Sequence, residues 1–133
     1  MSAHSSKGTA LITGASTGIG AVYADRLAKR GYDLILVARN EERLLESAAR
    51  MKSTGRKIET IVADLTYKEG VQRIAERLST DPTITALVNN AGLGSARKLL
   101  DEKIDDLESM IYLSVTALTR LALEPVINFM PVA

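Results

Sequence analysis

The spacing of apolar residues changes several times along the chain, and each change marks an element. Thr9 to Thr13 reads as a short buried strand. After a glycine-rich turn, Ile19, Val22, Tyr23 and Leu27 recur at the spacing of one buried helical face, and Gly31 closes that helix. Asp33 to Ala38 is a near-continuous aliphatic strand. Asn40 is placed to cap a second helix that turns Leu44, Leu45, Ala48 and Met51 inward, with Glu41 and Glu42 in its positive first turn and Arg50 and Lys52 in its last. Lys57 to Val62 reads as a third strand whose Lys57 and Glu59 suit an exposed edge. Thr66, with Glu69 three residues on, has the form of a capping box for a third helix that buries Val71, Ile74, Ala75 and Leu78 and ends at Asp81-Pro82. Ile84 to Val88 supplies a fourth strand. A helix from about Glu102 to Leu123 carries apolar residues widely around its circumference, at Ile104, Leu107, Met110, Ile111, Leu113, Leu118 and Leu121, and so calls for cover on more than one side.

Strands alternating with helices in this way predict right-handed crossovers and an α/β fold. The expectation is a doubly wound, Rossmann-type parallel sheet of about four strands, order 3-2-1-4, with helices on both faces. A flexible leader is expected over residues 1–8, one folded domain over 9–123, and a C-terminal tail over 124–133 that holds Pro125 and Pro131.

Composition narrows the partners. A chain of 133 residues, 46% hydrophobic and 25% charged, is enough for one domain with a real core. Seventeen basic against sixteen acidic residues leave a net charge of +1, too little for the broad basic surface that nucleic-acid binding needs. There is no cysteine, which excludes disulfides and thiolate metal sites and fits a cytoplasmic home; no metal site is expected, and the lone His4 reads as a leader residue. The longest apolar run, Leu34 to Ala38, is too short to span a bilayer, and Met1 to Gly8 lacks the order of a secretion signal, so neither membrane nor export is expected.

Candidate chemistry starts between the first strand and the first helix, at Thr13-Gly14-Ala15-Ser16-Thr17-Gly18-Ile19-Gly20. Such a turn lets backbone approach a pyrophosphate at a helix N-terminus, where free N–H groups and the dipole favour anions. Gly14, Ser16, Thr17, Gly18, Ile19 and Gly20 are therefore candidate cofactor-binding residues. The ribose 2′ position of a dinucleotide is read at the end of the second strand, where a carboxylate would accept from a free hydroxyl. Here that end is Val37-Ala38-Arg39. Arg39 can pair with a 2′-phosphate, and a charged hydrogen bond worth roughly 1.5–3 kcal/mol gives about tenfold to hundredfold preference for NADP(H) over NAD(H).

Two further segments, Ala63-Asp64-Leu65 and Asn89-Asn90-Ala91-Gly92, follow the third and fourth strands. In this order the three motifs make the chain resemble the classical short-chain dehydrogenase/reductase (SDR) family from about Gly8 to Leu123. The resemblance implies a carbonyl or alcohol oxidoreductase. It also implies that Asp64 bonds the adenine amino group with Leu65 beside the ring, and that Asn90, Ala91 and Gly92 run along the adenosine ribose while Asn90 helps hold the sheet. Val115 joins the cofactor-binding set on the same ground. Family oligomers often pack the fourth helix against a partner's, so a homo-oligomer through residues 102–123, or through the Ile84–Val88 edge, is expected.

Two departures qualify this. Where the family carries an Asn before a Val in the fourth helix, this chain has Ser114. The four tyrosines, Tyr23, Tyr32, Tyr67 and Tyr112, are followed four residues on by Leu27, Leu36, Val71 and Thr116, so none forms the family's Tyr–Lys pair, and the Ser that precedes that pair is likewise unmatched. The expectation is an NADP(H)-binding portion that turns over negligibly by itself. The alternative is a non-catalytic dinucleotide-binding sensor, or an interaction module assembling through the last helix.

Overall fold

Strands β1 (Thr9–Thr13) and β2 (Asp33–Ala38) are buried along their whole length, because both of their faces are apolar and both are covered. Along them the side chains alternate strictly. Ala10, Ile12, Leu34, Leu36 and Ala38 belong to one core, and Leu11, Ile35 and Val37 to the other. The computed structural model describes residues 5–92 and 99–129 of the chain, and His4 lies outside them.

The remaining elements are α1 (Gly18–Lys29), α2 (Glu41–Met51), β3 (Ile58–Val62), α3 (Lys68–Thr80), β4 (Ile84–Val88), α4 (Ile104–Ile111) and α5 (Leu118–Phe129). The four strands form one parallel sheet in the order β3-β2-β1-β4, the expected Rossmann-type arrangement. One face carries α1 and α2 over the core of Ala24, Ala28, Leu44, Ala48 and Met51. The other carries α3 and α5 over Val71, Ile74, Ala75, Leu78, Ala117 and Leu121.

Several local expectations are corrected. The sheet-facing side of α1 is Gly20, Ala24 and Ala28, whereas Ile19, Val22 and Tyr23 are exposed and Leu27 is half-buried. The helix is pressed too close to the sheet for large side chains, so its small-residue stripe faces inward. In α2 it is Ser47, not Leu45, that turns inward with Leu44, Ala48 and Met51; Leu45 sits about 100° around the helix and is exposed. The Thr66–Glu69 capping box is not made. Asp64 Oδ1 takes the Thr66 N–H at 2.9 Å and its hydroxyl at 2.6 Å, and α3 starts only at Lys68. The last helix is one run with a π-helical segment, Tyr112–Ala117, between α4 and α5, and it continues through Pro125 to Phe129, into residues expected to be tail. Among the residues whose burial is described it buries Leu113, Ala117, Leu121 and Pro125, and it leaves Ile104, Ile111, Val115 and Leu118 exposed. Among the described residues no helix is long and apolar enough to cross a membrane.

The leader is tied down from Ser5. Its N–H donates to Asp33 Oδ2 at 3.0 Å and its hydroxyl to the Gly31 carbonyl. Asp33 also accepts from Lys57 N–H at 3.1 Å and from the Arg56 guanidinium at 2.8 Å, so one buried carboxylate joins the leader, β2 and the approach to β3. Burial pushes the Asp33 carboxyl up, but these hydrogen bonds and the Arg56 charge outweigh it and hold the group below its ordinary value of 3.8. Asp81 behaves alike: burial raises it, and the Thr83 hydroxyl, the Thr83 N–H and Arg77 together bring it below 3.8. A depressed carboxyl contributes stability that is complete above 3.8 and is lost as the pH falls through its lower folded value. The thermal midpoint, followed by circular dichroism, is therefore expected to hold between about pH 7 and 5 and to fall below about pH 4. Asp33→Asn is expected to cost about 2–4 kcal/mol at neutral pH and to flatten that acid limb. An acid limb of unchanged steepness in the variant contradicts the assignment.

Candidate dinucleotide-binding site

In a parallel sheet of order 3-2-1-4, the chain leaves β1 toward β2 on one side while β4 lies on the other. This opens a crevice beyond the carboxyl ends of β1 and β4. The turn from β1 into α1 has to fit this crevice while touching the end of β4. Gly14 takes φ +64°, and a Cβ there would meet Ala91 Cα at 3.0 Å. Gly20 sits so close under the turn that a Cβ would lie 2.1 Å from the Gly14 carbonyl oxygen.

The fully buried Thr13 is the joint between the two strand ends. Its Oγ1 accepts from the N–H groups of Asn90 and Ala91, each at 2.9 Å, and donates to the Val88 carbonyl at 3.5 Å. Asn90 Nδ2 returns a bond to the Gly14 carbonyl at 3.4 Å. Beside it Asn89 Nδ2 donates to the Leu118 carbonyl at 2.7 Å, tying the end of β4 to the start of α5 just beyond the π-helical segment.

The crevice is a cleft of about 310 Å³, within the range of small-molecule sites. At one wall the N-terminus of α1 is left open: Thr17 makes no side-chain cap and the first turn holds no acidic residue, so its N–H groups face no competing carboxylate. Arg39, Asn40 and Arg43 stand together at another wall. Among the described residues neither arginine has an ion-pair partner. Asn40 Oδ1 is spent on the Arg43 N–H at 3.1 Å, as expected of a helix cap. Among the described residues Asp64 is the one carboxylate lining the cleft, and there its Oδ1 is held by Thr66 while Oδ2 makes no bond. Val37, Ala38, Ala63, Leu65 and Leu113 supply apolar surface. Two guanidiniums unpaired among the described residues, open helical N–H groups, one carboxylate and apolar walls are groups of the kind that the phosphates and rings of a dinucleotide require.

The cleft brings together Gly14, Ser16, Thr17, Arg39, Asp64, Leu65, Asn90, Ala91 and Gly92 from the candidates named by sequence. Gly18 and Gly20 shape the turn without lining the cleft. Ile19, 67% exposed, and Val115, 58% exposed, do not line it either, and Ser114 is exposed in the π-helical segment. Sequence reasoning missed Arg43, which follows Arg39 by one helical turn once α2 is known to start at Glu41, and Thr66 and Leu113, which the tertiary fold alone brings in. It also missed the role of Thr13, whose partners lie 77 and 78 residues away.

A family model for short chain dehydrogenases matches residues 8–130. The chain belongs to the short-chain dehydrogenase family. A short-chain dehydrogenase from Sphingobium yanoikuyae, solved in complex with NADPH, is 44% identical and superposes with a TM-score of 0.88, covering 92% of this chain and 48% of its own. L-Sorbose reductase from Gluconobacter frateurii, solved with NADPH and L-sorbose, is 34% identical with a TM-score of 0.80, covering 96% of this chain and 49% of its own. The 17-beta-hydroxysteroid dehydrogenase type 3 of Danio rerio is 39% identical over 107 residues, which is 77% of this chain and 34% of that protein. The chain thus spans about half the length of the two solved enzymes and about a third of the curated relative.

Thr13→Val leaves the amides of Asn90 and Ala91 without an acceptor in the interior. It is expected to destabilise the chain by roughly 2–4 kcal/mol in urea unfolding, with Thr13→Ser recovering most of that loss. Equal losses in both variants would mean that packing of the methyl group, not the hydroxyl, joins the strands.

Proposed function

We propose that this chain binds NADP(H) in preference to NAD(H), as the cofactor-binding portion of a carbonyl or alcohol oxidoreductase. The observation that carries the reading is the end of β2, where, among the described residues, two guanidinium groups without ion-pair partners flank the cleft and no carboxylate stands to receive a free ribose 2′-hydroxyl. A 2′-phosphate carries nearly two negative charges at neutral pH, and Arg39 with Arg43 supplies two positive ones. The complexes of the Sphingobium dehydrogenase and the Gluconobacter reductase with NADPH support the same choice.

In this reading the open N–H groups at the start of α1 hold the pyrophosphate and Asp64 accepts from the adenine amino group. Leu65 packs beside the adenine ring, and Asn90 to Gly92 line the adenosine ribose. Bound nicotinamide supplies hydride. The chain's own residues bind and orient the dinucleotide; none of its tyrosines is followed four residues on by a lysine, the arrangement with which the family delivers a proton to substrate oxygen. These 133 residues by themselves are therefore proposed to bind without turning over.

Titration with NADPH and NADH, followed by nicotinamide fluorescence, is expected to show NADPH favoured tenfold or more. Arg39→Gln removes that preference by weakening NADPH and leaving NADH unchanged, since a charged hydrogen bond is worth about 1.5–3 kcal/mol. Equal affinity for the two nucleotides in the unaltered chain would sink the assignment of Arg39, and steady NADPH oxidation with a ketone would sink the claim of no turnover.

Self-association is proposed through the last helical run. Ile104, Ile111, Val115 and Leu118 are all exposed, large apolar side chains on one continuous helical run. Sedimentation of the unaltered chain is expected to report a dimer or larger species that Val115→Asp converts to monomer. A monomer in both cases rules the helix out as the interface.

A further inference from the structure

We propose that Ser47 is a positioning residue for the phosphate-binding turn: its hydroxyl holds the Ala15 carbonyl and thereby aims the Ser16 N–H into the cleft. Ser47 is the one polar side chain on the inward face of α2, between Leu44 and Ala48, and it is fully buried. A hydroxyl buried without a partner is costly, and a serine in a helix commonly satisfies itself on the carbonyl one turn back. Ser47 instead donates to the Ala15 carbonyl at 3.2 Å, across 32 residues of sequence.

Ala15 is the second residue of the turn and is itself fully buried. Its N–H donates to the Val37 carbonyl at 3.2 Å, so both of its backbone groups are fixed, one by the end of β2 and one by α2. The C=O and the following N–H of a trans peptide point in opposite directions. With the Ala15 carbonyl drawn into the core toward Ser47, the Ser16 N–H is turned out of it. Ser16 lines the cleft, and among the described residues its N–H has no hydrogen-bond partner. Ser47 does not line the cleft and touches no ligand; it acts through one peptide plane. Because α2 also carries Arg43, the same bond locks the phosphate turn and the arginine wall into one unit.

The proposal rests on the reading of the cleft as a dinucleotide site. Its test uses the 133-residue chain with Ser47→Ala, which deletes the donor, and Ser47→Cys, which fills nearly the same space with a weak donor. In the ligand-free chain the Ala15 carbonyl ¹³C resonance is expected to move upfield in both variants, as a carbonyl does on losing a hydrogen bond. NADPH and NADH are expected to bind roughly five- to twentyfold more weakly to Ser47→Ala, by the same factor for both, because the turn serves both nucleotides. That equal loss separates Ser47 from Arg39, whose removal affects NADPH alone. Ser47→Cys, close to native in volume, is expected to follow Ser47→Ala. If Ser47→Cys binds like the unaltered chain although its Ala15 resonance has moved upfield, the bond is not what serves binding, the role is packing and the proposal is overturned. Unchanged affinity in a folded Ser47→Ala overturns it as well. Failure of the unaltered chain to bind either nucleotide overturns instead the reading of the cleft on which the proposal rests.

Discussion

Two amide groups at the end of β4, those of Asn90 and Ala91, turn inward where no strand continues to receive them, and the Thr13 hydroxyl takes both. Buried N–H groups have to be paired, so this one oxygen sets how near the β1 turn lies to β4. The rest follows from that closeness. The Gly14 carbonyl is left against the start of α1, and Gly20 has no room for a side chain there. Once the helix starts in contact with the turn, its axis runs low over the sheet, and only Gly20, Ala24 and Ala28 fit beneath it. The exposed positions of Ile19, Val22 and Tyr23 are therefore a consequence of the turn's geometry, not a weakness in the core.

The same constraint explains what could be read in the sequence and what could not. β2 was legible to the residue because a strand covered on both faces has to be apolar at every position, and the buried face of α3 was legible because it packs against ordinary large side chains. The face of α1 was misread, since its large apolar residues carry the helical period while its small ones carry the contact. A Gly20-Ala24-Ala28 stripe was the available signal. The Thr66 cap was misread because a nearer acceptor, Asp64 Oδ1, captured both the hydroxyl and the N–H before the helix began. The π-helical segment has no counterpart in the apolar period at all.

Within the site, a residue such as Gly14 was legible because its backbone has to take a positive φ at a fixed place in the chain. The illegible ones depend on pairings between distant segments. Thr13 and Asn90 meet across 77 residues and Ser47 and Ala15 across 32, and neither pairing is visible until the strand order is known. Arg43 lies between these cases: its place beside Arg39 needs only the start of α2, which the Asn40 cap already marks.

Among the described residues the walls of the cleft come from between Gly14 and Leu113, and two of the elements that carry them, α2 and the β1 turn, are locked by bonds internal to this chain. In the proposed reading, walls fixed in this way would hold a cofactor equally in the ground and transition states, and so would supply affinity without supplying rate. Rate requires groups placed against the reacting carbon and oxygen, and none of the four tyrosines in this sequence is followed four residues on by a lysine. Affinity and chemistry are thus separable in this architecture for a structural reason. The described walls of the cleft all belong to one four-stranded sheet and its helices, and that sheet ends at the β4 edge, where Ala86, Leu87 and Val88 are half-buried.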